Sequence, residues 1–173
     1  MTDLKRFIRD IPDFPKPGIV FKDITPLLAD AAAFRSTIDQ LVEPYRGRID
    51  MVLGIESRGF VIGAAAAYAL GTGLALVRKP GKLPHQTYAA RYELEYGSDA
   101  LEIHHDALGD HHRVLVIDDL LATGGTASAA VQLVRHCGGQ VVACAFVIEL
   151  AFLNGRQRLD GHAISSLIRY DSP

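Results

Sequence analysis

The chain has 173 residues, 49% hydrophobic and 22% charged, a length and balance that suit one folded domain and exclude a disordered chain, a collagen-like repeat or a coiled coil. Its 18 Lys and Arg against 20 Asp and Glu leave a formal net charge of -2. So weak a field excludes general attraction to nucleic acid or an anionic membrane, and an anionic ligand would have to be met by local clusters.

Along the chain, Met1 to Asp10 lacks the apolar core of a secretory signal. The two cysteines, Cys137 and Cys144, form no Cys-x-x-Cys pair, so both are expected to be buried thiols of a cytoplasmic protein. Pro12 to Asp23 is too rich in proline for regular structure, yet it carries Phe14, Ile19, Val20 and Phe21, so it is expected to pack as a loop over another part of the molecule. A helical stripe follows from Phe34 to Val42, then a strand-like apolar run from Asp50 to Ile55. No residue from Gly59 to Val77 is charged, but Gly71-Thr72-Gly73 divides this stretch into a helix, Phe60 to Leu70, and a short strand, Leu74 to Val77, which excludes a membrane span.

Pro80 to Ser98 reads as a long loop leading into strand-like pairing, and a loop of that length in a compact domain suggests a lid. His104, His105, His111 and His112 flank a short polar connection, and because adjacent pairs project in different directions they are not expected to hold a metal. Two more apolar runs, Val114 to Ile117 and Val141 to Ile148, enclose a helix from Thr126 to Cys137 that stops at Gly138-Gly139. Near-continuous apolar strands alternating with helices predict an α/β fold with a parallel sheet whose strands are buried on both faces.

The most informative run is Val114 to Thr126, a strand followed by Asp118-Asp119-Leu120-Leu121-Ala122-Thr123-Gly124-Gly125-Thr126 and a helix start. A helix beginning at the carboxyl end of a parallel strand aims free N–H groups and the positive end of its dipole at the ligand crevice. Ala122, Thr123, Gly124, Gly125 and Thr126 therefore suit a phosphate, with glycines for close backbone approach and hydroxyls as further donors. Neither a Gly-x-x-x-x-Gly-Lys-Ser/Thr loop nor a Gly-x-Gly-x-x-Gly turn is present, which disfavours triphosphate hydrolysis and dinucleotide binding. Asp118 and Asp119, just ahead of the cradle, suit the hydroxyls of a sugar and a positively charged transition state at its anomeric carbon.

This run resembles the phosphoribosyl pyrophosphate (PRPP) binding motif of the type I phosphoribosyltransferases. Phe14 to Ile24, Gly54 to Phe60, Arg78 to Pro84 and Leu94 to Gly97 resemble the adenine-specific members of that family, so the likeness covers nearly the whole chain. The resemblance implies a single domain over residues 1–173: a small N-terminal hood (about 1–35), a parallel-sheet core flanked by helices (about 36–173) and a lid loop (about 80–98). It implies transfer of the 5-phosphoribosyl group from PRPP to adenine, giving AMP and pyrophosphate. Pyrophosphate would be met by Glu56, Ser57 and Arg58, with a cis peptide between Glu56 and Ser57, and by Arg78, Lys79 and Lys82. Arg78 in relatives can reach a neighbouring subunit, which implies a homodimer.

Adenine would be read by the backbone at Val20, stacked on by Phe21 and approached by Lys22, which stands where many relatives have arginine. Glu95 would handle the purine imidazole proton, and Tyr96 would close over the reaction centre. Arg58, Glu95, Asp118 and Asp119 are the implied catalytic groups, and Mg²⁺ would be held mainly by substrate oxygens with no direct protein ligand. Two alternatives stay open on the sequence: a sister enzyme for hypoxanthine or xanthine, and a PRPP-sensing transcriptional regulator. The regulator would need a DNA-binding domain or basic surface that the sequence lacks.

Overall fold

The structure, a computed structural model, describes residues 3–93 and 98–173. Its centre is a five-stranded parallel sheet in the order β4-β3-β7-β8-β9, formed by β3 (Met51–Ile55), β4 (Gly73–Val77), β7 (Arg113–Leu121), β8 (Gln140–Leu150) and β9 (Ala163–Tyr170). Leu53, Val116, Cys144 and Phe146 belong to one core layer with α4 (Gly125–His136). Val52, Leu115, Ile117 and Ala145 belong to the other, with α1 (Thr25–Ala29), α2 (Ala31–Val42) and α3 (Arg58–Leu70). The apolar runs are thus explained by burial from both sides. Burial also pushes the Cys144 thiol up to about 12, as expected of an inert core cysteine.

Edge strand β4 departs from that expectation: Leu74 and Leu76 are partly exposed because β3 is its only neighbour and one face is uncovered. Strand β9 and the short helix α1 were not anticipated. The proline-rich segment is not a loop throughout, since β1 (Arg9–Pro12) and β2 (Val20–Asp23) pair antiparallel. The prolines avoid the strand interiors: Pro12 ends β1 opposite Val20, and Pro15 and Pro17 lie in the connection. Asp23 then accepts from the Thr25 N–H at 2.9 Å and hydroxyl at 2.8 Å, fixing the exit of the hairpin onto α1.

The expected long loop is shorter than residues 80–98, because β5 (Thr87–Glu93) and β6 (Ser98–His104) form an antiparallel pair that covers α4. Residues 94–97 of the expected lid, with Glu95 and Tyr96, lie outside the described residues. Among the described residues, no helix is long and apolar enough to cross a membrane.

Candidate active site

The chain leaves β3 through α3 toward β4 and leaves β7 through α4 toward β8, on opposite sides of the β3–β7 pair. A parallel sheet opens a crevice where its winding reverses, at the carboxyl ends of those strands. A cleft of about 350 Å³ lies there, lined by the Glu56–Arg58 turn, Lys79, Asp118, Asp119 and the Ala122–Thr126 loop. The register accounts for the acidic pair. Pairing with β3 ends at Gly54 opposite Ile117, while β7 continues on β8 with Asp118 opposite Phe146 and Leu121 opposite Glu149. Asp118 and Asp119 are therefore strand residues rather than turn residues, and the edge that β3 no longer covers opens on the cleft.

Two helix N-termini face the same space. Helix α4 starts after Gly124, whose φ of +82° lies in the left-handed region, and no side chain caps it. Helix α3 starts after Ser57, again with no side-chain cap, and the Glu56–Ser57 peptide is cis, as the resemblance implied. Two uncapped N-termini with free backbone donors are suited to anions. The α4 loop is buttressed from behind by Gly155: a Cβ there would sit 2.2 Å from the Ala122 carbonyl oxygen, and one on Gly124 would sit 2.3 Å from the Gly155 carbonyl oxygen.

Glu149, 2% exposed, secures that buttress. Its carboxylate accepts from Arg156 Nε at 2.6 Å, Arg156 Nη2 at 2.7 Å and the Ser166 hydroxyl at 2.6 Å. Hydrogen bonding from Arg156 outweighs desolvation and holds the Glu149 carboxyl below its usual range.

Asp118 behaves oppositely: desolvation, reinforced by the negative charge of Asp119, pushes it well above the usual carboxylate range, with Arg58 opposing. Asp119, 5% exposed, is ion-paired with Arg58 Nε. The Arg58 guanidinium also lies over the Phe21 ring, 5.1 Å from its centroid, so one side chain joins the acidic pair to the N-terminal hairpin. Phe21 meets Phe14 edge to face at 5.3 Å.

The remaining basic residues divide. Lys79 lines the cleft, and its ammonium donates to Tyr92 Oη at 3.0 Å and pairs with Asp99 on β6. Arg78 does not line it; its Nη2 donates to Glu56 Oε1 at 2.9 Å, and Glu56 Oε2 accepts the Lys79 N–H at 2.9 Å. These bonds hold the Glu56 carboxyl below its usual range, so Glu56 lines the cleft as an anchor for the β4–β5 connection. Both of its oxygens are thus engaged with Arg78 and the Lys79 backbone. Lys82 is exposed and outside the lining.

Lys22 takes the other face of β2. Side chains alternate along a strand, so with Phe21 turned toward Arg58, Lys22 turns away. Its ammonium is buried against Asp10 at 3.0 Å and over the Tyr170 ring at 4.4 Å, where it holds the hairpin to the core instead of approaching a base. Val20 and Phe21 lie in the hairpin, outside the residues lining the cleft. Tyr92 and Leu101 in the lining, and the Gly155 buttress, carry no signal in the sequence, since only the folded register brings them to the cleft, whereas Leu120 and Leu121 arrive with the run that holds the acidic pair.

The comparisons agree with this geometry. A phosphoribosyl transferase domain profile matches residues 21–167. An adenine phosphoribosyltransferase of Solibacter usitatus is 59% identical over 172 residues, 99% of each chain, and one of Thermotoga neapolitana is 55% identical over 169 residues, 97% of this chain and 99% of that one. Among solved structures, adenine phosphoribosyltransferase from Thermoanaerobacter pseudethanolicus superposes with a TM-score of 0.95 at 53% identity, covering 97% of this chain and 98% of that one. The Saccharomyces cerevisiae enzyme, complexed with an imino-altritol bisphosphate and adenine, gives 0.90 at 40% identity, covering 95% and 96%. A parallel sheet with two uncapped helix starts around an acidic pair, and relatives of this identity over nearly the whole length, make this chain a member of the phosphoribosyltransferase family, in its adenine phosphoribosyltransferase branch.

Proposed function

We propose that this chain transfers the 5-phosphoribosyl group of PRPP to adenine, releasing pyrophosphate and forming AMP. The observation that carries the reading is the pair of uncapped helix N-termini on either side of Asp118 and Asp119 in one cleft. The 5'-phosphate takes the backbone donors of Ala122 to Thr126 and the Thr123 and Thr126 hydroxyls. Pyrophosphate takes the start of α3 with Arg58 and Lys79, and the ribose hydroxyls donate to Asp118 and Asp119. Adenine lies against Phe21, its edge read by the backbone at Val20.

The bond from the anomeric carbon to the pyrophosphate oxygen breaks ahead of full bonding to adenine N9, and positive charge grows on the ribose ring. Asp118 and Asp119 stabilise that charge, and positive charge beside the pair favours the ionised form of Asp118 that burial and Asp119 oppose. Glu95 takes the proton that N9 loses, a contribution of about 10²- to 10⁴-fold, while Tyr96 screens the centre from water. The carboxylate oxygens of Asp118 and Asp119 are hard donors that fit Mg²⁺, and with Asp119 already paired to Arg58 most of the ion's ligands would come from substrate and water. An ion held there would supply positive charge to offset the negative charge of the pyrophosphate.

The reading extends to a homodimer in the cytoplasm. The homodimer is supported by the exposed apolar side chains Val61 and Tyr68 on α3 and Leu74 and Leu76 on the neighbouring β4, Tyr68 being 91% exposed. Loss of free adenine and appearance of AMP, followed by chromatography with purified protein, PRPP and Mg²⁺, tests the reaction. Adenine is expected to be consumed, with hypoxanthine and xanthine left untouched; turnover of either of those in place of adenine would overturn the assignment.

A further inference from the structure

Outside the cleft, a second chemical cluster forms at the root of the β5–β6 hairpin. The metal-ligating atoms of His85, His105 and Asp106 all lie within 4.8 Å of one another, and this is the only such group of His, Cys, Asp and Glu among the described residues. None of the three lines the cleft. We propose that they form a binding site for a borderline divalent cation, for which Zn²⁺ is the best match.

The end of the hairpin makes the cluster. The β5–β6 ladder stops at Thr87 opposite His104, and a turn follows in which the Ala107 N–H donates to the His104 carbonyl at 3.0 Å, so the neighbouring side chains of His105 and Asp106 are released from strand alternation. Two bonds hold the facing segment in place: the His105 N–H donates to the Gln86 carbonyl at 3.0 Å, and the His85 N–H donates to His104 Nε2 at 3.2 Å. That second bond occupies His104 Nε2 and keeps it out of the ligand set. The His85 and His105 rings stand 5.0 Å apart, and His85 Nε2 lies 3.9 Å from Asp106 Oδ2.

Zinc–nitrogen bonds of about 2.0–2.1 Å would draw the three side chains together by about an ångström. His85 and Asp106 are exposed, so small side-chain rotations suffice. Two imidazoles and one carboxylate select zinc and its first-row neighbours over Mg²⁺, which prefers an all-oxygen shell. Water would complete the coordination. The bound ion would tie the loop that follows Lys79 to the end of β6, the strand that carries Asp99.

The test uses chelator-treated, untagged protein titrated with ZnCl₂ by calorimetry and by competition with a chromophoric chelator. One equivalent per chain is expected to bind in the micromolar range, with millimolar Mg²⁺ failing to displace it. Co²⁺ should report nitrogen and oxygen ligands in its visible spectrum. His85→Ala, His105→Ala and Asp106→Asn should each weaken binding at least tenfold, while His111→Asn leaves it unchanged. Far-UV circular dichroism and AMP formation with Mg²⁺, both expected to be retained, separate loss of the site from loss of the fold. Absence of Zn²⁺ binding, or binding unaltered in the triple variant, would overturn the proposal.

Discussion

At the β7–α4 end of the cleft, backbone groups face the space an anion would fill, whereas at the β3–α3 end charged side chains reach it. The first end is held by the Gly124–Gly155 contact and by the Glu149–Arg156 pair behind it, so its donors stand ready without a side chain having to move. At the second, each cation already has a partner: Arg58 has Asp119, and Lys79 has Asp99 and Tyr92. An anion arriving there competes with carboxylates already in place. On the proposed reading the 5'-phosphate subsite is thus preformed, and the pyrophosphate subsite would be assembled by exchange of partners, which would link its occupation to the β5–β6 hairpin through Asp99 and to the N-terminal hairpin through Arg58 and Phe21.

The contrast can be broken most severely at the preformed end. Gly155→Ala forces its new methyl group against the Ala122 carbonyl, and displacing the phosphate loop should lower kcat/KM by about 10²-fold, chiefly through KM for PRPP. Initial rates against PRPP, with circular dichroism as a control for folding, measure it; an unchanged KM would mean the contact does not hold the loop.

Glu149→Gln should cost about 1–3 kcal/mol of stability, since charge-assisted bonds to a buried carboxylate are lost. Because the Glu149 carboxyl is held below its usual range, its contribution is fully present above the ordinary carboxylate pKa and disappears as pH falls through the lowered folded-state value. Melting temperatures of the two proteins should therefore converge in acid and separate toward neutrality.

At the exchanging end the effects should be smaller. Phe21→Ala removes the face on which the base stacks, so KM for adenine should rise about tenfold with KM for PRPP little altered. Asp99→Asn frees Lys79 from a half-exposed pair and should lower KM for PRPP by about twofold to fivefold, the range an exposed ion pair commands. A raised KM in Asp99→Asn would show instead that the pair positions Lys79 for substrate.

The same contrast separates what the sequence makes legible from what it hides. The β7–α4 end is contiguous, so Asp118 to Thr126 can be read as one run, and the interior strands β3, β7 and β8 announce themselves because burial on both faces demands unbroken apolar residues. Strand β9 does not: its Ser165 and Ser166 interrupt the pattern, and the edge position relaxes the demand. The β1–β2 hairpin is hidden by prolines that lie at or beyond the strand ends. Lys22 is misdirected because its basic character says nothing about which face of β2 it takes. Gly155 and His85 acquire meaning only from partners about 30 and 20 residues away, proximity that strand register creates.

The rate of AMP formation by the Asp118→Asn/Asp119→Asn double variant tests the central claim most directly, because the acidic pair is what turns two anion subsites into a site for chemistry at ribose. With the fold verified by circular dichroism and saturating PRPP and adenine, kcat should fall by about 10³-fold or more. A kcat within about threefold of the parent protein, less than a 1 kcal/mol change in the barrier, would contradict the role assigned to the pair.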